Sequence, residues 1–231
     1  MNIVFFQFID YIMSSTYPFN WTPAPEALEN ERSKHYTKPS GLINAVVSDP
    51  LKVHMPRPML DKNVGERVYN FKLRPDDVWI ITYPKCGTTW SQEMVWQIVN
   101  KVKLDMAKIP LLVRSPFLEM EGLTTQEDLD GMDEKAKQMF ESLALADNMP
   151  TDSPRVIKSH LPLEMLPPKL LDNCKVIFVC RNPKDCCVSY YHHCLNLPGY
   201  NFDGDFDFFA KSFVEGNTEY GSYWTMLKVL Q

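Results

Sequence analysis

The chain has 231 residues, 45% of them hydrophobic and 23% charged, and a net charge of −5. That usage is ordinary for a globular protein and excludes a disordered, collagenous or coiled-coil chain. With 24 basic against 29 acidic side chains there is no basic surplus for binding nucleic acid, although a few local Lys and Arg suffice to hold a small anion.

Residues 1–13, MNIVFFQFIDYIM, are apolar but lack the basic start and cleavage site of a secretory signal. They are read as a variable leader, or a packed strand or helix, ahead of one domain spanning 14–231. Residues 14–76 are rich in Pro and turn formers and predict an irregular cover with short pieces of structure. VWIITYP at 78–84 is the first strong element, a β-branched run suited to a strand buried on both faces. After KCGTTW, apolar residues from Met94 to Val102 recur at helical spacing and predict a helix over 88–101. EKAKQMFESLALAD predicts a helix over 134–147, and RVIKSH a strand at 155–159. KVIFVCR predicts a second apolar strand at 175–180, and Pro183 and Asp185 mark the helix after it. Two more helices are expected over 206–216 and 217–230, the last with Tyr220, Tyr223, Trp224, Leu227 and Leu230 on one face. The fold class is α/β: a single domain with a mostly parallel central sheet flanked by helices.

Six cysteines, Cys86, Cys174, Cys180, Cys186, Cys187 and Cys194, show no CxxC pair and no zinc-type spacing. Free thiols, a cytoplasmic location and no metal are expected. No stretch reaches the roughly 20 apolar residues of a membrane span, so no membrane partner is expected either.

TYPKCGTTW at 82–90 carries the sharpest chemistry. Gly87 permits a tight turn, after which the first N–H groups of a helix point outward with the positive end of its dipole behind them. Lys85 adds a mobile charge, and Thr88 and Thr89 add hydroxyl donors. Such a P-loop-like turn suits a phosphate, although an ordinary strand–helix turn with an exposed lysine fits the same residues. It is not a Walker A loop, because Lys85 precedes the glycine. Lys158 and His160, two apart on an extended segment, point the same way. The pair His192 and His193 lies about 100° apart on a helix and lacks further ligands at metal spacing.

These segments resemble the cytosolic sulfotransferase family. TYPKCGTTW is similar to its TYPKSGTTW loop, RNPKDCCVSYYHH at 181–193 to RNPKDVAVSYYHF, and RVIKSHLP at 155–162 to a segment containing K-T-H-L-P. VEGNTEYGSYW at 214–224 resembles the stretch through an adenine-contacting tyrosine. The resemblance implies transfer of a sulfuryl group from 3′-phosphoadenosine 5′-phosphosulfate to a hydroxyl or amine of a small lipophilic acceptor. It implies that Lys85 contacts the bridging oxygen, and that Cys86, Gly87, Thr88, Thr89 and Trp90 surround the 5′-phosphate and adenine. It also implies Arg181 and Ser189 on the 3′-phosphate, Tyr220 on the adenine, His160 as base and Lys158 as a balancing charge. Phe117 and His193 match acceptor-site walls, and further wall is expected from loops around 17–25, 110–125 and 193–200. Cys86 stands for the usual Ser, Ser159 for Thr and His193 for Phe. No residue matches the family's late Arg-Lys-Gly triplet or its terminal dimerisation motif. The domain is therefore expected to be incomplete at its C-terminus, and a homodimer is left open. The alternative is a truncated, weakly active or inactive nucleotide-binding or regulatory isoform. A nucleotide kinase is disfavoured by the position of Lys85 and by the Lys158/His160 pair.

Overall fold

A computed structural model describes residues 2–5, 16–37 and 45–228. Within them lie the strands β1 (Asn2–Phe5), β2 (Asn20–Pro23), β3 (Val46–Asp49), β4 (His54–Met55), β5 (Val78–Thr82), β6 (Val156–Ser159) and β7 (Lys175–Cys180). The central sheet has the order β1-β7-β5-β6. β5 runs parallel to both β6 and β7, and β1 closes the β7 edge antiparallel, with Asn2 opposite Cys180.

Every residue of β5 is buried, as its unbroken apolar run requires. Alternation along the strands sorts the side chains to two faces. Ile80, Val156 and Val179 meet Trp96, Val95 and Val99 of the helix Thr88–Val99. Trp79, Ile81, Ile157 and Phe178 face the larger core, with Val64, Val68, Leu163 and Leu170 from short helices on the other side. Each such aliphatic or aromatic side chain contributes roughly 1.5–3 kcal/mol on burial. At the strands' lower ends the buried Arg155 grips Asp77 through two bonds, 2.7 and 2.6 Å, tying the start of β6 to that of β5.

The described residues of 16–76 are more ordered than a Pro-rich cover suggests. They hold a three-stranded sheet, β2-β3-β4, and three short helices. Two expected helices are corrected. The pattern at 134–147 splits into Glu134–Gln138 and Ser142–Asp147. The break occurs where Ser142 donates to the Leu118 carbonyl and Leu143 N–H to Glu121, which docks the second piece on the 118–122 segment. The last helix covers only Tyr223–Leu227. Before it the chain turns: Tyr220 and Gly221 have φ of 67° and 71°, and Tyr220 N–H bonds His54 O at 2.9 Å. A side chain at Gly221 would sit 2.8 Å from the Lys52 carbonyl, so this close pass needs glycine. Ser222 then caps the short helix. Tyr220 is therefore not on its face, and Leu230 lies outside the described residues.

Candidate active site

The carboxyl ends of β5, β6 and β7 lie side by side, the usual place for a ligand in a parallel sheet. A cavity of about 930 Å³ opens there, at the upper end of the range for ligand sites. Lys85, Gly87, Thr88, Thr89, Trp90, Phe117, Lys158, His160, Arg181, Ser189, His193 and Tyr220 all line it.

At its floor, β5 hands over to the helix through Tyr83–Gly87. Gly87, at φ 98°, is the N-cap of the helix Thr88–Val99. No side chain caps this N-terminus and its first turn has no acid, so its positive end is left for a ligand. Lys85 is itself held at φ 65°, an uncommon conformation for a residue with a Cβ. The Arg181 guanidinium donates to the Lys85 carbonyl at 3.2 Å, so the turn after β7 steadies the turn after β5. Lys85 Nζ lies 3.4 Å from His193 Nδ1. Burial first, then the charges of Lys85 and Lys158, hold His193 down at about 4, so its ring is neutral at physiological pH.

His160 has the best-defined chemistry. Its Nδ1 lies 2.7 Å from the Thr82 carbonyl oxygen, which can only accept, so Nδ1 carries the proton and donates it there. Nε2 is left with its lone pair. Burial, reinforced by the nearby Lys158 charge, pushes the imidazole well below its ordinary value, which keeps it neutral. The ring stands edge-on between Phe117 and Tyr220, with centroids 5.1 and 5.3 Å away. Thr82 Oγ1 also bonds Thr88 Oγ1 at 2.6 Å, so one strand end holds both the imidazole and the helix start. Lys158 Nζ lies 3.7 Å from the centre of the Phe117 ring. Burial brings Lys158 down to about 8, opposed by Glu119 and aided by Lys85.

Cys86 is corrected. Its thiol turns inward to within 3.8 Å of Cys186 Sγ, and its N–H is bonded to the Tyr83 carbonyl at 3.3 Å, so neither group lines the cavity. His192 is exposed and outside the cavity. The 17–25 segment is absent from its walls, which come instead from 112–140 and 193–201, including Met132 and Phe140. Three residues escaped the sequence reading. Thr82 is an ordinary strand residue until its carbonyl is seen to fix the imidazole. Glu119 is fully buried, its Oε1 accepting the His160 backbone N–H at 2.6 Å. Glu219 lines the cavity with its carboxylate on the Tyr200 hydroxyl, 2.6 Å away. A lone acid in FLEM or TEY gives no sequence signal of burial.

Fold and site together define an α/β protein with an uncapped strand–turn–helix beside a neutral, singly oriented histidine. A match to the sulfotransferase domain family covers residues 75–230, and the chain belongs to that family. It is 35% identical to Sulfotransferase 1E1 of Homo sapiens over 165 residues, which is 71% of this chain and 51% of that protein. Luciferin sulfotransferase of Photinus pyralis is 34% identical over 162 residues, 69% of this chain and 43% of that protein. The chain thus spans about half the length of the curated relatives it matches. Among solved structures, retinol dehydratase in a complex with retinol and PAP superposes with a TM-score of 0.79 at 27% identity, covering 92% of this chain and 66% of that one. No helix among the described residues is long and apolar enough to cross a membrane, and no cluster of His, Cys, Asp and Glu among them is arranged to hold a metal ion.

Proposed function

We propose that the chain transfers a sulfuryl group from 3′-phosphoadenosine 5′-phosphosulfate to a hydroxyl or amine of a small lipophilic acceptor. The observation that carries this reading is the His160 ring, whose Nδ1–H is tied to Thr82 and whose Nε2 is free beside Lys158. The residues present fit the donor. The uncapped helix start at Gly87–Thr89 and Lys85 suit its 5′ end, and Arg181 with Ser189 suit the 3′-phosphate at the same cavity. When bound, the donor would supply the activated sulfuryl group and leave as 3′-phosphoadenosine 5′-phosphate.

The chain's own residues do the rest. His160 Nε2 takes the acceptor's proton while Nδ1–H stays on the Thr82 carbonyl. Lys85 and Lys158, both lining the cavity, set positive charge beside the reacting oxygens. Leu112, Met120, Leu123 and Phe140 offer an apolar wall to the acceptor. The relatives' names and the retinol held by the solved neighbour support a lipophilic acceptor. All six cysteines are free thiols, which supports a cytoplasmic setting.

The test is turnover of a labelled donor with a phenol such as 2-naphthol, alongside calorimetry with 3′-phosphoadenosine 5′-phosphate and 5′-AMP. His160→Ala is expected to remove at least about 10²-fold of turnover while leaving nucleotide affinity within threefold. A variant that keeps half the parent rate under chemistry-limited conditions sinks the base assignment. Tight nucleotide binding with no turnover by the parent chain points instead to the nucleotide-binding, regulatory reading.

A further inference from the structure

Glu119 is completely buried and does not line the cavity. A carboxyl in such a place needs partners, because burial penalises its charged form. Three consecutive residues at the end of β6 supply them. His160 donates its backbone N–H to Oε1 at 2.6 Å, the Ser159 hydroxyl bonds the same carboxyl, and the Lys158 ammonium acts on it by charge. The segment carrying Glu119 is zipped along β6 by Leu118 N–H to Lys158 O, 3.0 Å, and Lys158 N–H to Pro116 O, 2.9 Å. On its other side the carboxyl faces the Tyr220 hydroxyl, whose proton it helps to keep in place.

We propose that Glu119 is a positioning residue for the reaction: from the buried side it pins the main chain of the base where β6 ends, next to Lys158. The inference rests on the reading of His160 and Lys158 as reacting groups. With the His160 N–H on Glu119, Nδ1–H on Thr82, and the ring held between Phe117 and Tyr220, Nε2 is the one polar atom of that residue's ring left for a substrate.

The charge role has a definite sign. The groups facing Glu119 are Lys158 and His160 from β6 and its end, and Glu219 and Tyr220 from the turn before Tyr223. Lys85 and His193 act on the same pair from across the cavity. Burial raises Glu119 to about 7, against the His160 N–H and the Ser159 hydroxyl first and the Lys158 charge last. Lys158 in turn sits at about 8, held up by Glu119 against burial and Lys85. Removing the Glu119 charge therefore releases the Lys158 proton at lower pH. His160 stays neutral through this window, so it does not mask the change.

The experiment uses the full chain and Glu119→Gln, which keeps an acceptor for the His160 N–H and removes the charge. Nucleotide affinity and the KM for 2-naphthol are expected to stay within threefold. The alkaline limb of kcat should move down by about one pH unit, so that the variant is within threefold of the parent at pH 6 and about tenfold slower at pH 8. An alkaline limb unchanged from the parent overturns the proposal, since a residue needed only for packing does not move a titration. Should the variant not fold, the parent chain labelled with ¹³C at its Glu carboxyls decides the matter. A Glu119 resonance that titrates higher in Lys158→Met than in the parent supports the pairing; one that titrates alike in both overturns it. A parent that shows this titration and binds nucleotide but turns nothing over removes the sulfotransfer reading while leaving the pairing standing.

Discussion

Two turns of the same chain follow a parallel strand and start a helix, yet they end differently. After β5, Gly87 caps the helix Thr88–Val99 with no side chain, and the first turn carries no acid. After β7, the Asn182 side chain accepts the Lys184 N–H, Pro183 fills the first position and Asp185 sits in the first turn of Pro183–Asn196. The first helix start is left uncapped by side chains; the second is already satisfied by its own residues. The second turn therefore reaches the cavity through side chains, Arg181 before the helix and Ser189 two turns into it. Similar local patterns thus present bare backbone to the cavity at one place and side chains at the other.

The largest effect is expected at the open turn. Gly87→Val forces a β-branched residue to φ 98° and should reshape the cradle. Affinity for 3′-phosphoadenosine 5′-phosphate is expected to fall by at least about 10²-fold in calorimetry. Retention within threefold means that the backbone there is not what holds the anion. At the clamp, Arg181→Met removes a charged donor and also the support of the Lys85 carbonyl. An affinity loss of roughly 10- to 100-fold is expected, with the preference over 5′-AMP collapsing toward unity. A loss shared equally by both nucleotides would move Arg181 to the 5′ end. Smallest is Asn182→Ala, which should lower unfolding stability by about 1 kcal/mol and leave nucleotide affinity within twofold. If thermal melting is unchanged and binding drops, the second helix start is a ligand site after all.

The parts that could be read in the sequence are those fixed by local pattern. β5 and β7 are unbroken apolar runs, and Gly87 after such a run marks the open turn. What could not be read depends on contacts far along the chain. Glu119 is buried because residues 116–118 pair along β6, some forty positions later, and nothing in FLEM announces that partner. Cys86 sits inside the motif, but the motif does not say which of its residues turn inward. The helix expected through Tyr220 failed for a different reason. Its aromatic spacing imitates a helical face, while Gly221 and Ser222 carry the contrary signal of a left-handed turn and a fresh N-cap.

Thr82 joins the two ends of the site, and this makes one proton informative. The Nδ1–H of His160 is buried against the Thr82 carbonyl, 2.7 Å away, and the Thr82 hydroxyl holds Thr88. Anything that displaces the cradle pulls on the same residue that shelters this proton. In spectroscopic terms the ring N–H is a built-in reporter: slow to exchange with solvent while the loop is seated, faster when it lifts. A screen for compounds that unsettle the turn at Gly87 could then watch a single imidazole resonance, with no turnover and no attached dye.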